Sequence, residues 1–294
     1  MNSSEAYREF IKTLQPEIEE REAKSIARIV FEDVFHIYSS SSTAVFTTEQ
    51  AEVLQKMADR LKKQEPLQHI LGVADFFGLK FKVSPAVLIP RPETEELVDW
   101  ILEIGKHENW VTGLDIGTGS GCIPIVLQSK RPDWQLSGLD VSKEALAMAQ
   151  LNADNNKVDI TWLNVDILQE ASWPQLGTFD FIVSNPPYIP HQERALMPAQ
   201  VLDYEPTIAL FVDDEDPLLF YREIGRFALR HLKAGGYLFF ELNEFNAEKV
   251  VELLTEQGYE HIQLQQDLQG KNRMLLGRNK SNNKSLALRN VKYH

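Results

Sequence analysis

From Trp110 onward the chain alternates between two hydrophobic periods. "VTGLDIG" (111–117), "WQLSGLDVS" (134–142), "DITWLNVDI" (159–167), "FDFIVS" (179–184) and "GGYLFFEL" (235–242) are short apolar runs suited to strands. Between them, "CIPIVLQSK", "KEALAMAQLNADNN", "DPLLFYREIGRFALRHL" and, last, "NAEKVVELLTEQG" carry apolar residues at three- and four-residue spacing, as helices do. Such alternation predicts an α/β fold with a mainly parallel sheet covered by helices on both faces. "YEHIQLQQD" and "NRMLLGR" are joined by a short link and predict a C-terminal antiparallel hairpin. In sheets of this class ligands bind beyond the carboxyl ends of the strands.

The region before Trp110 reads differently. "EAYREFIKTL", "EREAKSIARIVFEDVF" and "TEQAEVLQKMADRLKKQ" predict three helices, with Thr48 as N-cap of the third and "YSSSST" as a loop. They carry no chemical constellation, and a small helical bundle over 1–66 is expected. "HILGVADFFGLKFKVSP" alternates and contains glycines, which predicts a β-hairpin linker within 67–90. In "LIPRPETEELVDWILEIG", Pro92 suits the first helical position, and Glu93, Glu95 and Glu96 suit the positive end of a helix dipole. Arg91 stands just outside; a solvated linker charge and an active-site role are both open. The alternating domain spans 91–278, and the polar tail 279–294 is expected to be disordered.

Composition narrows the class. The formal charge of −13 lowers the expectation of direct nucleic-acid binding, which favours a basic surface. One cysteine excludes an internal disulfide and a cysteine-based metal site. The N-terminus lacks the layout of a signal peptide, and the apolar runs are too short to span a bilayer, so the cytoplasm is expected, with no membrane partner and no metal.

"LDIGTGSGC" closes the first strand of the alternating domain. Gly117, Gly119 and Gly121 let the backbone turn tightly and approach a ligand closely. Their spacing is G-x-G-x-G, not the G-x-G-x-x-G of dinucleotide sites. Asp140 and Asp166 close the next two strands. The first is placed for ribose hydroxyls, the second for an adenine amino group. These acids would repel phosphate and suit a cationic nucleoside such as S-adenosylmethionine. Asp115, below the loop, could orient it or take the ammonium through water. Cys122 reads as a small buried side chain, since no histidine stands near it in sequence.

"SNPPYIP" follows the fourth strand. Proline cannot serve a central ladder, so the strand must end at about Ser184 with the chain held rigid beyond it. A planar –NH₂ acceptor has a delocalised lone pair and must be held with both N–H bonds on acceptors. The Asn185 side-chain oxygen and the Pro186 carbonyl can be those acceptors, Pro187 stiffens the turn, and Tyr188 can stack on the acceptor plane.

These residues resemble the class I S-adenosylmethionine-dependent methyltransferases, in the branch with an (N/D)PP(Y/F) motif. With "PLQHILGVADFFGLKFKVSPAVLIPRPETEELV", "LDIGTGSGCI", "VSNPPYIP", "YEPTIAL" and the terminal D…G…R…GR, the stretch from Pro66 to Arg278 resembles the release factor glutamine methyltransferase family. The resemblance implies a Rossmann-like domain that methylates the side-chain amide nitrogen (N5) of the glutamine in the Gly-Gly-Gln loop of peptide chain release factors. By the same resemblance, Gly117, Thr118, Gly119, Ser120, Gly121, Asp140 and the Asp166–Ile167 pair hold S-adenosylmethionine, and Asn185 to Tyr188 hold the glutamine. The helical N-terminus is expected to recognise the protein substrate, and the protein to be a monomer. "ELNEF" departs from the family's Glu-(Ile/Leu)-Gly: Asn243 replaces the glycine, which puts the local backbone in question. The alternatives are a nucleic-acid amino methyltransferase acting on adenine N6 or guanine N2, and a non-catalytic nucleoside-binding module.

Overall fold

The structure is a computed structural model that describes residues 1–15 and 17–280. The tail expectation therefore lies, for 281–294, outside the described residues. Asn279 itself is bonded, its N–H donating to the Gly236 carbonyl at 2.8 Å.

Two compact units emerge. The first comprises Met1–Val73 together with Pro198–Tyr204. Its helices are α1 (Ser3–Leu14), α2 (Glu20–Asp33), α3 (Thr48–Leu61) and the five-residue α4 (Leu67–Leu71). Their apolar stripes converge on Phe31, whose ring meets Tyr7, Phe10, Phe35 and Phe46. Thr47, not Thr48, caps α3: Thr47 Oγ1 accepts from Gln50 N–H, and the Gln50 side chain accepts in return from Thr47 N–H. Thr48 already has helical backbone, and only the residue before it is extended. Part of the expected linker is also helical. α4 is too short to show a period, and Gly72 ends it at φ +66°.

The second unit comprises Ala74–Met197 and the chain from Glu205 on. β1 (Val73–Phe76) and β2 (Leu79–Lys82) form the expected hairpin. Its turn, Phe77–Gly78, has φ of +50° and +77°, as a two-residue turn with positive φ at both positions requires. Then follow α5 (Pro92–Gly105), β3 (Thr112–Ile116), α6 (Cys122–Lys130), β4 (Gln135–Asp140), α7 (Lys143–Asn156), β5 (Thr161–Asn164) and β6 (Phe179–Ser184). Beyond β6 come the short β7 (Ile189–Pro190), α8 (Ala199–Tyr204, in the first unit), α9 (Thr207–Leu210) and β8 (Phe211–Val212). The chain closes with α10 (Leu219–His231), β9 (Leu232–Glu241), α11 (Ala247–Gln257), β10 (Glu260–Gln266) and β11 (Asn272–Arg278).

The main sheet has seven strands in the order β10-β11-β9-β6-β3-β4-β5. β9, β6, β3, β4 and β5 run parallel; β11 is antiparallel to β9, and β10 to β11. Both faces are buried. On β6, Phe181 and Val183 join one core with Leu97, Ile101 and Val126, while Ile182 joins the other with Tyr221, Phe227 and Val250. Tyr237 and Phe239 of β9 alternate with Leu238 and Phe240 in the same way. Two-sided burial is why these strands read as continuous apolar runs rather than as polar–apolar alternation.

Candidate active site

β3 lies between β4 and β6, so the chain order reverses there and the carboxyl ends of the three strands meet. This is the switch point where doubly wound sheets leave a crevice. A cavity of about 310 Å³ opens at that edge. Gly117, Gly119, Asp140, Asp166, Ile167 and Asn185–Pro187 all line it, with Ala86–Leu88 and Pro206, Ile208 and Ala209 completing the wall.

The glycine loop is tied to β4. The N–H groups of Gly117 and Thr118 donate to the Leu139 carbonyl at 2.8 and 3.0 Å. Gly119 N–H donates to Asp140 Oδ2 at 2.9 Å, and Ser142 N–H to Oδ1 at 2.9 Å. Gly117, Gly119 and Gly121 have φ of +73°, +53° and +78°. A Cβ on Gly117 or Gly119 would project into open space, so these two leave room at the cavity wall. At Gly121 a Cβ would approach Trp162 and Ala149 within about 3 Å. That glycine serves packing instead. Within the loop Thr118 and Ser120 have buried side chains, and Ser120 lends its carbonyl to Asn152 Nδ2.

Asp115 lies beneath the loop, buried, with neither carboxylate oxygen hydrogen-bonded. Burial pushes its pKa up to about 7; the nearby Thr118 hydroxyl opposes the shift without reaching hydrogen-bond geometry, and Asp140 adds to it. Burial also raises Asp140, opposed by the backbone N–H groups it accepts. Asp166 lies two residues past the end of β5, not at its end, and its side chain accepts from Leu168 N–H at 3.0 Å. Cys122 is buried and burial pushes its thiol up to about 12, which suits a packing residue.

The raised pKa of Asp115 has a testable sign. A carboxyl whose folded pKa exceeds its unfolded value contributes stability at low pH that is lost as pH rises. Here the loss runs from the ordinary carboxylate range to about 7. Asp115→Asn, which cannot ionise, is expected to raise Tm by a few degrees over the wild type at pH 8 and not at pH 5. Thermal melts without cofactor at the two pH values check this.

β6 ends at Ser184, whose hydroxyl donates to the Ile116 carbonyl at 2.7 Å and locks the strand end to β3. Asn185 Nδ2 donates to Thr94 Oγ1 at 3.3 Å, and Thr94 Oγ1 donates to Glu241 Oε2 at 2.6 Å. Glu241 is buried at the end of β9, and burial pushes it up to about 7 against the Thr94 hydrogen bond and the Arg273 charge. Tyr188 is set off the cavity wall and packs on the second core; burial, then the nearby Glu241 charge, raise its phenol. Its carbonyl lies 3.5 Å from Asn243 Nδ2. Asn243 has φ −72° and ψ 125°, ordinary extended backbone, and its Oδ1 caps Phe245 N–H. A side chain thus fits where the resemblance expects glycine. Arg91 is also off the wall. It forms an ion pair with Glu205, whose other oxygen accepts from Ile89 N–H at 3.4 Å. Thr94, Glu205 and Glu241 were not singled out from sequence. The usable signal for Glu241 was an acid ending an otherwise apolar strand, "YLFFEL".

The chain is similar to known methyltransferases in sequence and in fold. Residues 101–202 match the Methyltransferase small domain, and residues 5–72 the PrmC N-terminal domain. A release factor glutamine methyltransferase of Flavobacterium psychrophilum is 42% identical over 91% of this chain and 95% of its own length. One of Bacteroides thetaiotaomicron is 42% identical over 83% and 86%. Among solved structures, a methyltransferase from Pyrococcus furiosus superposes with TM-score 0.51 at 19% identity, covering 80% of this chain and 100% of its own. The human methyltransferase 10 domain containing protein does so with TM-score 0.50 at 19% identity, covering 78% and 96%. These two show the class I methyltransferase fold.

Proposed function

We infer the reaction from a premise now in hand: this chain belongs to the release factor glutamine methyltransferase family. The chain is a protein methyltransferase acting on release factors. Its acceptor is the side-chain amide nitrogen (N5) of the glutamine in their Gly-Gly-Gln motif, and its methyl donor is S-adenosylmethionine. The observation that carries this reading is the pairing, in one cavity, of the glycine loop with the rigid edge Asn185–Pro186–Pro187.

The residues present fit the donor. Two glycines leave open space at the wall, carboxylates line it without a lysine or arginine among the lining residues, and an unpartnered carboxyl lies beneath the loop. S-adenosylmethionine supplies an electrophilic methyl carbon on a sulfonium and leaves as S-adenosylhomocysteine. Asp140 would hold the ribose hydroxyls, Asp166 and Ile167 the adenine end, and the backbone of Gly117–Gly121 the remainder, with the unpartnered Asp115 carboxyl beneath the loop taking the ammonium through water. Asn185 Oδ1 and the Pro186 carbonyl accept the two amide N–H bonds of the substrate glutamine, turning the face of its nitrogen toward the donor. Pro187 bounds the acceptor plane, and Tyr188, packed on the second core behind it, stiffens that edge. No strong base is needed, because the nitrogen gains positive charge as the bond forms and its proton then leaves to water. Arg91 acts from outside the wall, through Glu205. The first unit recognises the protein substrate, one chain holds the whole site, and a release factor substrate places the reaction in the cytoplasm.

Asp140→Ala removes charge-assisted partners of the ribose and also frees the N–H groups of Gly119 and Ser142. Losing about 1.5–3 kcal/mol corresponds to roughly ten- to hundredfold weaker S-adenosylmethionine binding by calorimetry. Unchanged affinity in the folded variant removes Asp140 from the site. The reaction itself is tested by methyl transfer to purified release factor, DNA and ribosomal RNA in parallel. Transfer to release factor alone is expected. Transfer to nucleic acid alone favours the amino methyltransferase of bases, and binding without transfer the nucleoside module.

A further inference from the structure

Asn185 can serve an amide substrate only if its oxygen, not its nitrogen, faces the acceptor. An asparagine side chain is nearly symmetric in shape, so something else must set its direction. We propose that Glu241 and Thr94 form a hydrogen-bond relay that fixes the orientation of the Asn185 amide and presents its oxygen to the substrate nitrogen. The proposal rests on the reading of Asn185 given above and assigns Glu241 and Thr94 as positioning residues.

An ionised carboxylate only accepts, whereas a hydroxyl has one proton to give and two lone pairs. Thr94 spends its proton on Glu241 Oε2 at 2.6 Å, so toward Asn185 it can only accept. Asn185 must then offer Nδ2, and it does so at 3.3 Å; the same amide also bears directly on Glu241, whose charged form it favours. Its oxygen is left for the substrate. The three residues come from α5, β9 and the end of β6, each anchored by its own element, so the relay is held from three sides. Thr94 and Glu241 are both buried, which keeps water from substituting for either partner.

The relay depends on the charge of Glu241. A protonated Glu241 can donate to Thr94, and Thr94 can then donate to Asn185 Oδ1, which turns the –NH₂ toward the substrate. The groups that bear on Glu241 are Glu93 and Thr94 on α5, Cys122 on α6, Asn185 and Tyr188 beyond β6, Tyr221 on α10, whose hydroxyl donates to the Glu241 carbonyl at 3.2 Å, and Arg273 on β11. Arg273 favours the charged form, while burial and Glu93 favour the neutral one. kcat should therefore fall as pH drops through the Glu241 titration, near 7.

The test uses the full-length protein with Thr94→Val, Thr94→Ser and Glu241→Gln. Removing one neutral hydrogen bond from an orienting group predicts about a tenfold lower kcat for Thr94→Val, with S-adenosylmethionine affinity unchanged. Thr94→Ser, which restores the hydroxyl, returns kcat to within about twofold of the wild type. Glu241→Gln loses the acid limb of the pH–rate profile. Independently of any substrate, the side-chain amide ¹⁵N–¹H signals of Asn185, assigned by their loss in Asn185→Ala, should shift with pH in the wild type and not in Glu241→Gln. Asn185 signals that ignore both pH and Glu241→Gln overturn the relay. So does wild-type kcat in Thr94→Val. If the signals titrate as expected but release factor is not methylated, the relay stands and the assignment of substrate fails.

Discussion

Asn185→Ala is expected to bind S-adenosylmethionine within about twofold of the wild type and to transfer methyl groups about a hundredfold more slowly. The asymmetry follows from where the side chain is held. Its amide nitrogen is spent on Thr94, so the part left free is an acceptor at the end of β6. An acceptor aimed at the reacting nitrogen restrains it on the line of attack. Losing one preorganised partner at a reacting centre costs on the order of 3 kcal/mol in the barrier. Asn185→Asp keeps an oxygen there and should retain part of the activity. Single-turnover kinetics together with calorimetry separate the two effects. Normal turnover by Asn185→Ala, or a defect confined to cofactor binding, contradicts the role.

Arg91→Ala is expected to lower Tm by on the order of 10 °C and to weaken cofactor binding with it. Glu205 is buried, with Arg91 and Ile89 N–H as its partners. That pair clips the segment before α5, which supplies Ala86–Leu88 to the cavity wall, to the segment that supplies Pro206, Ile208 and Ala209. Removing one partner of a buried pair costs about 3–5 kcal/mol. The Arg91 side chain is 34% exposed, so screening puts the lower end in force. Burial already raises the Glu205 pKa, and Arg91 opposes that rise. Without Arg91 the folded pKa climbs further above the unfolded one, so the variant loses more stability as pH rises from the carboxylate range. Melts at pH 5 and pH 8 should show the larger deficit at pH 8. The double variant Arg91→Ala/Glu205→Leu should recover most of it. A Tm unchanged by Arg91→Ala would mean that the ion pair holds neither segment.

Local chemistry explains which parts of this were legible. The end of β6 at Ser184 is set by two prolines in sequence, and the parallel sheet by the alternation of periods. Asp140 closes β4 in a run whose neighbours leave it little other reading. The partnerships behind the wall are different in kind. Thr94 and Glu241 are 147 positions apart, and Arg91 and Glu205 are 114 apart. Nothing in the local period of either segment encodes such a pairing. Arg91 and Glu205 look like separate surface charges until the fold joins them. The return of Pro198–Tyr204 to the first unit is likewise a tertiary event. Asn243 shows the reverse: its replacement of glycine is conspicuous in sequence, yet its backbone is ordinary.

The most direct measurement is mass spectrometry of a release factor after reaction with this protein and isotopically labelled methyl donor, with fragmentation to locate the label. The account predicts one labelled methyl group on the side-chain amide of the glutamine in the Gly-Gly-Gln motif, absent when Asn185→Ala is used for the same brief reaction. A label at any other residue of the factor, or on its backbone, would contradict it.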